Sequence, residues 1–239
     1  AVAAWMNLQL RQHDMLTDSA RIRNLHEDIR KGAKLIKVIQ CAFPGQEPPA
    51  YHEDPTSGVQ WRENMQIAFE MLRSEQACSQ HYLINHVVLG KRADILNFCW
   101  DLLESSLSQR WDQEMGTASH TCISHDGERE VFVFEDDAFL AWLKSKWRHK
   151  HPPPVDLGGS WQDGLVLTAL VDTLCPDHIP WDNLQTSSPE ERVGVALQVA
   201  EDVLGLPKLV QVQDVLSGCR PTIVMYAAEL CLAAAAATS

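Results

Sequence analysis

The chain has 239 residues, 45 % hydrophobic and 22 % charged, a balance that excludes disordered and fibrous classes. A formal net charge of −12 opposes any broad nucleic-acid-binding face. The length allows one large domain or two of about 110 residues.

Taken in order, the chain opens on a helix around Ala4-Trp5-Met6. Leu25, Ile29, Ala33, Ile36 and Ile39 recur at three and four and trace an apolar stripe. Pro44-Gly45 and Pro48-Pro49 break this helix and start an irregular stretch to Gly58. Trp61, Met65, Ala68, Phe69 and Leu72 trace a second stripe, and Ile95, Phe98, Cys99, Leu102 and Leu103 a third. Residues 109–137 carry two basic and eight acidic residues, half of the net excess, and 111–136 reads as an acidic linker. The one period-2 run, Val131-Phe132-Val133-Phe134, lies in it.

A helix around Ala141-Trp142-Leu143 follows, then a loop from His151-Pro152-Pro153-Pro154 to Gly158-Gly159. Leu165, Leu167, Ala169, Leu170 and Leu174 form a broad apolar pattern. Pro176, Pro180 and Pro189 mark another loop, and Val195, Val199, Val203 and Leu206 predict a helix face. A last helix spans Ile223 to Leu232, and the Ala-rich end from Leu230 is too short for a membrane span. The fold class expected is all-α, with domains at 1–110 and 137–239.

The halves repeat each other at an offset of ~128–137 residues, the mark of a tandem duplication. Trp5 matches Trp142, and the turn Ile29-Arg30-Lys31-Gly32 matches Trp161-Gln162-Asp163-Gly164. Seven cysteines without a C-x-x-C pair, and no secretory leader pattern, point to free thiols and a cytoplasmic setting. His120, Cys122 and His125 lack the fourth ligand and spacing of a zinc site. No phosphate loop and no nucleophile-base motif occurs, so neither metal, cofactor nor enzymatic activity is expected.

Trp161-Gln162-Asp163-Gly164-Leu165, Cys175-Pro176-Asp177, Ile179-Pro180-Trp181, Gly205-Leu206-Pro207 and Val224-Met225-Tyr226 together resemble the second calponin-homology domain of the spectrin, α-actinin and filamin superfamily. The resemblance covers nearly all of 137–235. The first half is similar to the type 1 domain of that tandem through Trp5, the Gly32 turn, Leu35-Ile36, Asn64, Gly90-Lys91 and Trp100. It departs at His86, where the family usually has Asp, and in its long Pro-rich 43–60 loop. Most of these residues read as packing chemistry, with Trp100 and Tyr226 expected to fill the core.

The resemblance implies a non-covalent F-actin-binding module, monomeric as this fragment and associated with the cytoskeleton. Carried over residue by residue, the filament contacts would be Trp5, Leu8 and Arg11 of the first helix, and Lys91, Arg92, Leu103 and Leu107 of the last helix of the first half. The basic run Lys144, Lys146, Arg148 and Lys150 corresponds to a phosphoinositide headgroup site in α-actinin-like relatives. Asp101 and Glu104 in the filament-facing helix oppose an acidic partner. The alternatives are tubulin, in a microtubule or ciliary scaffold, and an adaptor protein helix.

Overall fold

The computed structural model describes residues 1–45, 47–74, 84–115, 119–123, 130–134 and 136–238. The elements begin with α1 (Val2–Gln12), α2 (Leu25–Ile29), α3 (Ala33–Ala42), α4 (Gly58–Ser74), α5 (Ile84–Val88) and α6 (Arg92–Met115). Two strands follow, β1 (Ser119–Ile123) and β2 (Glu130–Phe134), paired with each other. Then come α7 (Asp136–Lys146), a 3-10 turn (Gly159–Trp161), α8 (Leu165–Leu174), α9 (Trp181–Leu184), α10 (Pro189–Leu204), α11 (Val212–Leu216) and α12 (Arg220–Thr238). The all-α expectation holds apart from this short strand pair, whose second member contains the period-2 run. The His120, Cys122 and His125 cluster lies outside the residues whose side chains are described.

The chain divides into two compact units. One holds residues 2–106 with 121–133; the other holds 107–120 and 134–239 with Ala1. In the first, α3 packs against α1, α2 and α4, and α4 against α5. Ile95, Phe98, Cys99, Leu102 and Leu103 are buried, and Phe98 stacks on Phe69 at 5.1 Å. The first expected stripe is cut in two at Gly32, between α2 and α3. Trp100 is half-buried instead of filling the core.

Both units use the same device to start their central helix. Gly32 and Gly164 precede α3 and α8 with φ of +80° and +77°. A Cβ on Gly32 would stand 2.6 Å from Asn64 Cβ, and one on Gly164 would stand 2.9 Å from Val193 Cγ2. Positive φ and this close approach both call for glycine. A side chain of the longer helix then holds the carbonyl just before the glycine. In the first unit Asn64 Nδ2 donates to Lys31 O at 3.2 Å and to His52 O at 2.8 Å, while its Oδ1 accepts from His52 N at 2.9 Å. In the second, Arg192 donates to Asp163 O at 2.9 Å, to Leu184 O at 2.9 Å and to Gln185 O at 2.8 Å.

In the second unit α10 packs on α8, α11 and α12. Its buried face is Val193, Ala196, Leu197 and Ala200, not the expected Val195, Val199 and Val203. Val195 and Val199 are half-buried and Val203 is exposed. α10 carries apolar residues on two adjoining faces, and contact between Val193 and the Gly164 turn selects one. Ser188 caps α10 by accepting from Glu191 N at 3.2 Å, and Gly205 ends it at φ +66°.

α12 starts at Arg220, earlier than expected, and is apolar enough to cross a membrane by length and composition. Residues 222–232 are buried, so it serves as the unit's core helix. α6 also runs further than expected, to Met115, because no Gly or Pro stands between Gly90 and Gly116. Its last turns belong to the second unit. Trp111 meets Phe139 and Trp142 edge-on at 4.9 and 4.7 Å, and Arg110 forms a two-pronged pair with Glu229 of α12 at 2.6 and 3.2 Å.

Candidate functional site

The turn from α5 into α6 presents a compact exposed surface. Gly90 sits at φ +76°, its N–H donates to Val87 O at 2.9 Å, and Lys91 N donates to His86 O at 3.0 Å. This is a Schellman closure of α5. Lys91 O then accepts from Ile95 N at 3.0 Å, so α6 begins within two residues of that closure. Arg30 fastens the turn to the rest of the unit. Its Nε donates to Val88 O at 3.2 Å and its guanidinium lies 4.8 Å from the centre of the Trp61 ring. His86 Nδ1 lies 2.9 Å from an Asp94 carboxylate oxygen, tying α5 to the first turn of α6.

On this frame Lys91, Arg92 and Ala93 are exposed, flanked by Leu89 at 71 % and Leu96 at 41 % exposure. Arg92, Ala93 and Leu96 share one helix face by i and i+3/i+4 spacing, opposite the buried Ile95, Phe98 and Cys99. The nearest carboxylate on α6, Asp94, is engaged with His86, and Asp101 and Glu104 are half-buried, so the exposed charge here is positive. Leu89 and Leu96 were not singled out from the sequence. Leu96 sits beside Ile95 and off the buried stripe, which is the signal that could have found it.

The carried-over contacts separate into two groups. Trp5 is 0 % exposed, and Leu8, Leu103 and Leu107 are also buried, so these four are corrected to core residues that offer a partner no surface. Their apolar side chains lie on the inward faces of α1 and α6. Arg11 is exposed in the last turn of α1, a separate element from the α5–α6 turn, where positive charge complements the helix C-terminus. Lys91 and Arg92 fall together on the surface described above.

The basic run also divides. Lys144 and Lys146 are exposed on the last turn of α7. Arg148 and Lys150 line a cavity of about 580 Å³ together with His149, Asp172, Trp181 and Asn183. The cavity therefore mixes two cations, of which Arg148 Nη1 donates to Ser145 O and Trp147 O, with the carboxylates of Asp172 and Asp182. The next loop is organised by Asp156, whose carboxylate accepts from Gly158 N at 2.8 Å and Ser160 N at 3.0 Å. Those backbone N–H groups hold the Asp156 carboxyl below the ordinary 3.8. Asp156 O accepts from the buried Trp161 Nε1 at 2.9 Å.

Thiol chemistry is quiet. Cys41, Cys99, Cys175, Cys219 and Cys231 are free thiols, and burial pushes Cys41 up to about 11 and Cys99 and Cys231 higher still. Among the described residues no cluster of His, Cys, Asp and Glu is arranged to hold a metal ion.

Two helical units, each starting its central helix on a clamped glycine, with an exposed apolar-basic turn in one and a cavity of mixed charge in the other, define a duplicated helical architecture. Residues 135–236 match the calponin homology (CH) domain. Filamin-C of Rattus norvegicus is 27 % identical over 201 residues, covering 82 % of this chain and 7 % of that protein. Alpha-actinin-like protein 1 of Schizosaccharomyces pombe is 24 % identical over 230 residues, covering 94 % of this chain and 34 % of that protein. The actin-crosslinking core of Schizosaccharomyces pombe fimbrin shares the fold with a TM-score of 0.70 at 14 % identity, over 96 % of this chain and 47 % of that one. The calponin homology match is carried by 135–236, and the similarity to the alpha-actinin-like protein and to the fimbrin core extends over nearly the whole chain. The chain spans about a third or less of the two curated relatives described.

Proposed function

We propose that this chain is an F-actin-binding module of a cytoskeletal protein, acting by non-covalent docking and not by catalysis. The observation that carries the reading is the α5–α6 turn: Lys91 and Arg92 exposed between Leu89 and Leu96 on a frame closed by Gly90 and Arg30. Filament surfaces are acidic, and a cation pair flanked by apolar anchors supplies both steering and desolvated contact. Relatives described as α-actinin-like and as an actin-crosslinking core support the same partner. Arg11 adds positive charge on α1. In a longer parent chain, oligomerisation outside this module would turn binding into crosslinking through effective concentration.

The test is high-speed cosedimentation with F-actin and, in parallel, with microtubules, at ~50 and ~150 mM salt. Saturable pelleting with actin that weakens at the higher salt is expected. Pelleting with microtubules alone assigns the surface to tubulin. Pelleting with neither turns the search to an adaptor helix.

A second reading rests on the cavity beside α9. Arg148 and Lys150, supported by Trp181, suit the phosphates of an inositol lipid headgroup, with Lys144 and Lys146 as outlying cations. Asp172 and Asp182 on the same wall temper the affinity, so binding to phosphoinositide vesicles is expected to be local and salt-sensitive.

A further inference from the structure

His149 is held in one tautomer by two partners of opposite kind. Its Nε2 lies 3.2 Å from Asp172 Oδ2 on α8, and its Nδ1 lies 2.9 Å from the backbone nitrogen of His151. A backbone N–H can only donate, so Nδ1 must accept, and the ring proton must sit on Nε2, facing the carboxylate. The ring is nearly buried, with a side chain 7 % exposed, and meets Trp181 of α9 edge-on at 4.0 Å. Around this bond the chain makes a tight turn: Trp147 Nε1 donates to His151 O at 2.6 Å. Lys150 lies inside the turn and Arg148 beside it.

We infer that His149 is a proton-operated latch for the 147–151 turn, and so for the position of the two cations that line the cavity. A second proton has only Nδ1 to occupy. There it sets a ring N–H against the His151 N–H, and the bond that closes the turn is lost. The imidazolium would keep its attraction to Asp172, so the ring stays near α8 while the backbone of 150–151 moves away. The charged groups facing His149 are Asp172 from α8, His151, Lys150 and Arg148 from its own segment, and Asp182 from α9 across the cavity. Burial, with His151 and Lys150, disfavours the cation, and Asp172 only partly offsets them, so His149 titrates below 6.5. The latch is closed at neutral pH and opens on acidification. This rests on local geometry and not on the reading of filament binding.

The test is an NMR pH titration of the intact chain from pH ~7.5 to ~5, following the His149 ring, the His151 amide and the Trp147 indole N–H. The expected result is a His149 midpoint below 6.5, with the His151 amide and Trp147 indole shifting at that same midpoint. Asp172→Asn is expected to lower the midpoint further. His149→Asn keeps an acceptor for the His151 N–H but cannot take the proton, and is expected to abolish the concerted shift. A midpoint at or above 6.5, or a His151 amide that stays still while His149 titrates, would overturn the proposal. The wild-type titration decides this even if a variant fails to fold.

Discussion

Single residues set the geometry on which both units are built. Replacing Gly164 by Ala forces a side chain into positive φ and against Val193, and is expected to lower unfolding free energy by about 2–4 kcal/mol in urea denaturation. Gly32→Ala, pressed against Asn64, should behave alike. Both glycines were legible in the sequence because each stood before an apolar helix at matching positions. The clamps that hold them were not. Asn64 and Arg192 do the same work with different chemistry, and no residue-by-residue match between the halves can reveal that. Asn64→Ala removes three hydrogen bonds from a buried site and is expected to cost about 2–3 kcal/mol, read in the same assay. Asp28 adds a pH signature. Burial raises its carboxyl, but bonds from Lys34 Nζ and from the N–H groups of Asn24 and Arg23 outweigh this and hold it below 3.8. A depressed carboxyl stabilises the fold above its unfolded value and stops doing so as pH falls through its folded value. The thermal midpoints of wild type and Asp28→Asn should therefore differ at neutral pH and converge as the pH falls through the lowered folded value.

Elements show where periodicity suffices and where it does not. The third stripe was legible because residues 95–103 bury one clean face. α10 misled because a helix with two apolar faces is resolved only by what it packs against. The end of α6 was obscured by polarity: Glu104 to Asp112 looks solvated in sequence, yet Ser105, Ser106, Ser108 and Trp111 are buried. Beyond Ser106 this helix is part of the second unit, where Arg110 meets Glu229, a carboxylate only 1 % exposed. Removing one member of such a pair strands the other. Arg110→Ala is expected to destabilise the second unit by about 3–5 kcal/mol, and Glu229→Gln on that background to recover part of the loss, followed by calorimetry. Apolar positions carried over from a family are ambiguous between core and contact, and here Trp5, Leu8, Leu103 and Leu107 resolve to core. Lys91 and Arg92, carried over on the same resemblance, are exposed beside the positive-φ Gly90.

At the scale of the whole molecule, an overall charge of −12 opposes the acidic filament proposed as the partner. Binding to it would depend on the few places where positive charge is exposed beside apolar area, and the α5–α6 turn has that character. The most direct measurement is cosedimentation with F-actin of wild type beside two variants, Lys91→Glu/Arg92→Glu and Leu89→Ser/Leu96→Ser, with circular dichroism confirming that each keeps its helices. All four side chains lie at the surface, or largely so, and their replacement should leave the fold intact. Saturable binding by wild type is expected, reduced at least ~10-fold by either pair, a loss of ~1.4 kcal/mol or more. Wild-type binding that survives both variants unchanged would contradict this and place the filament contact elsewhere on the chain.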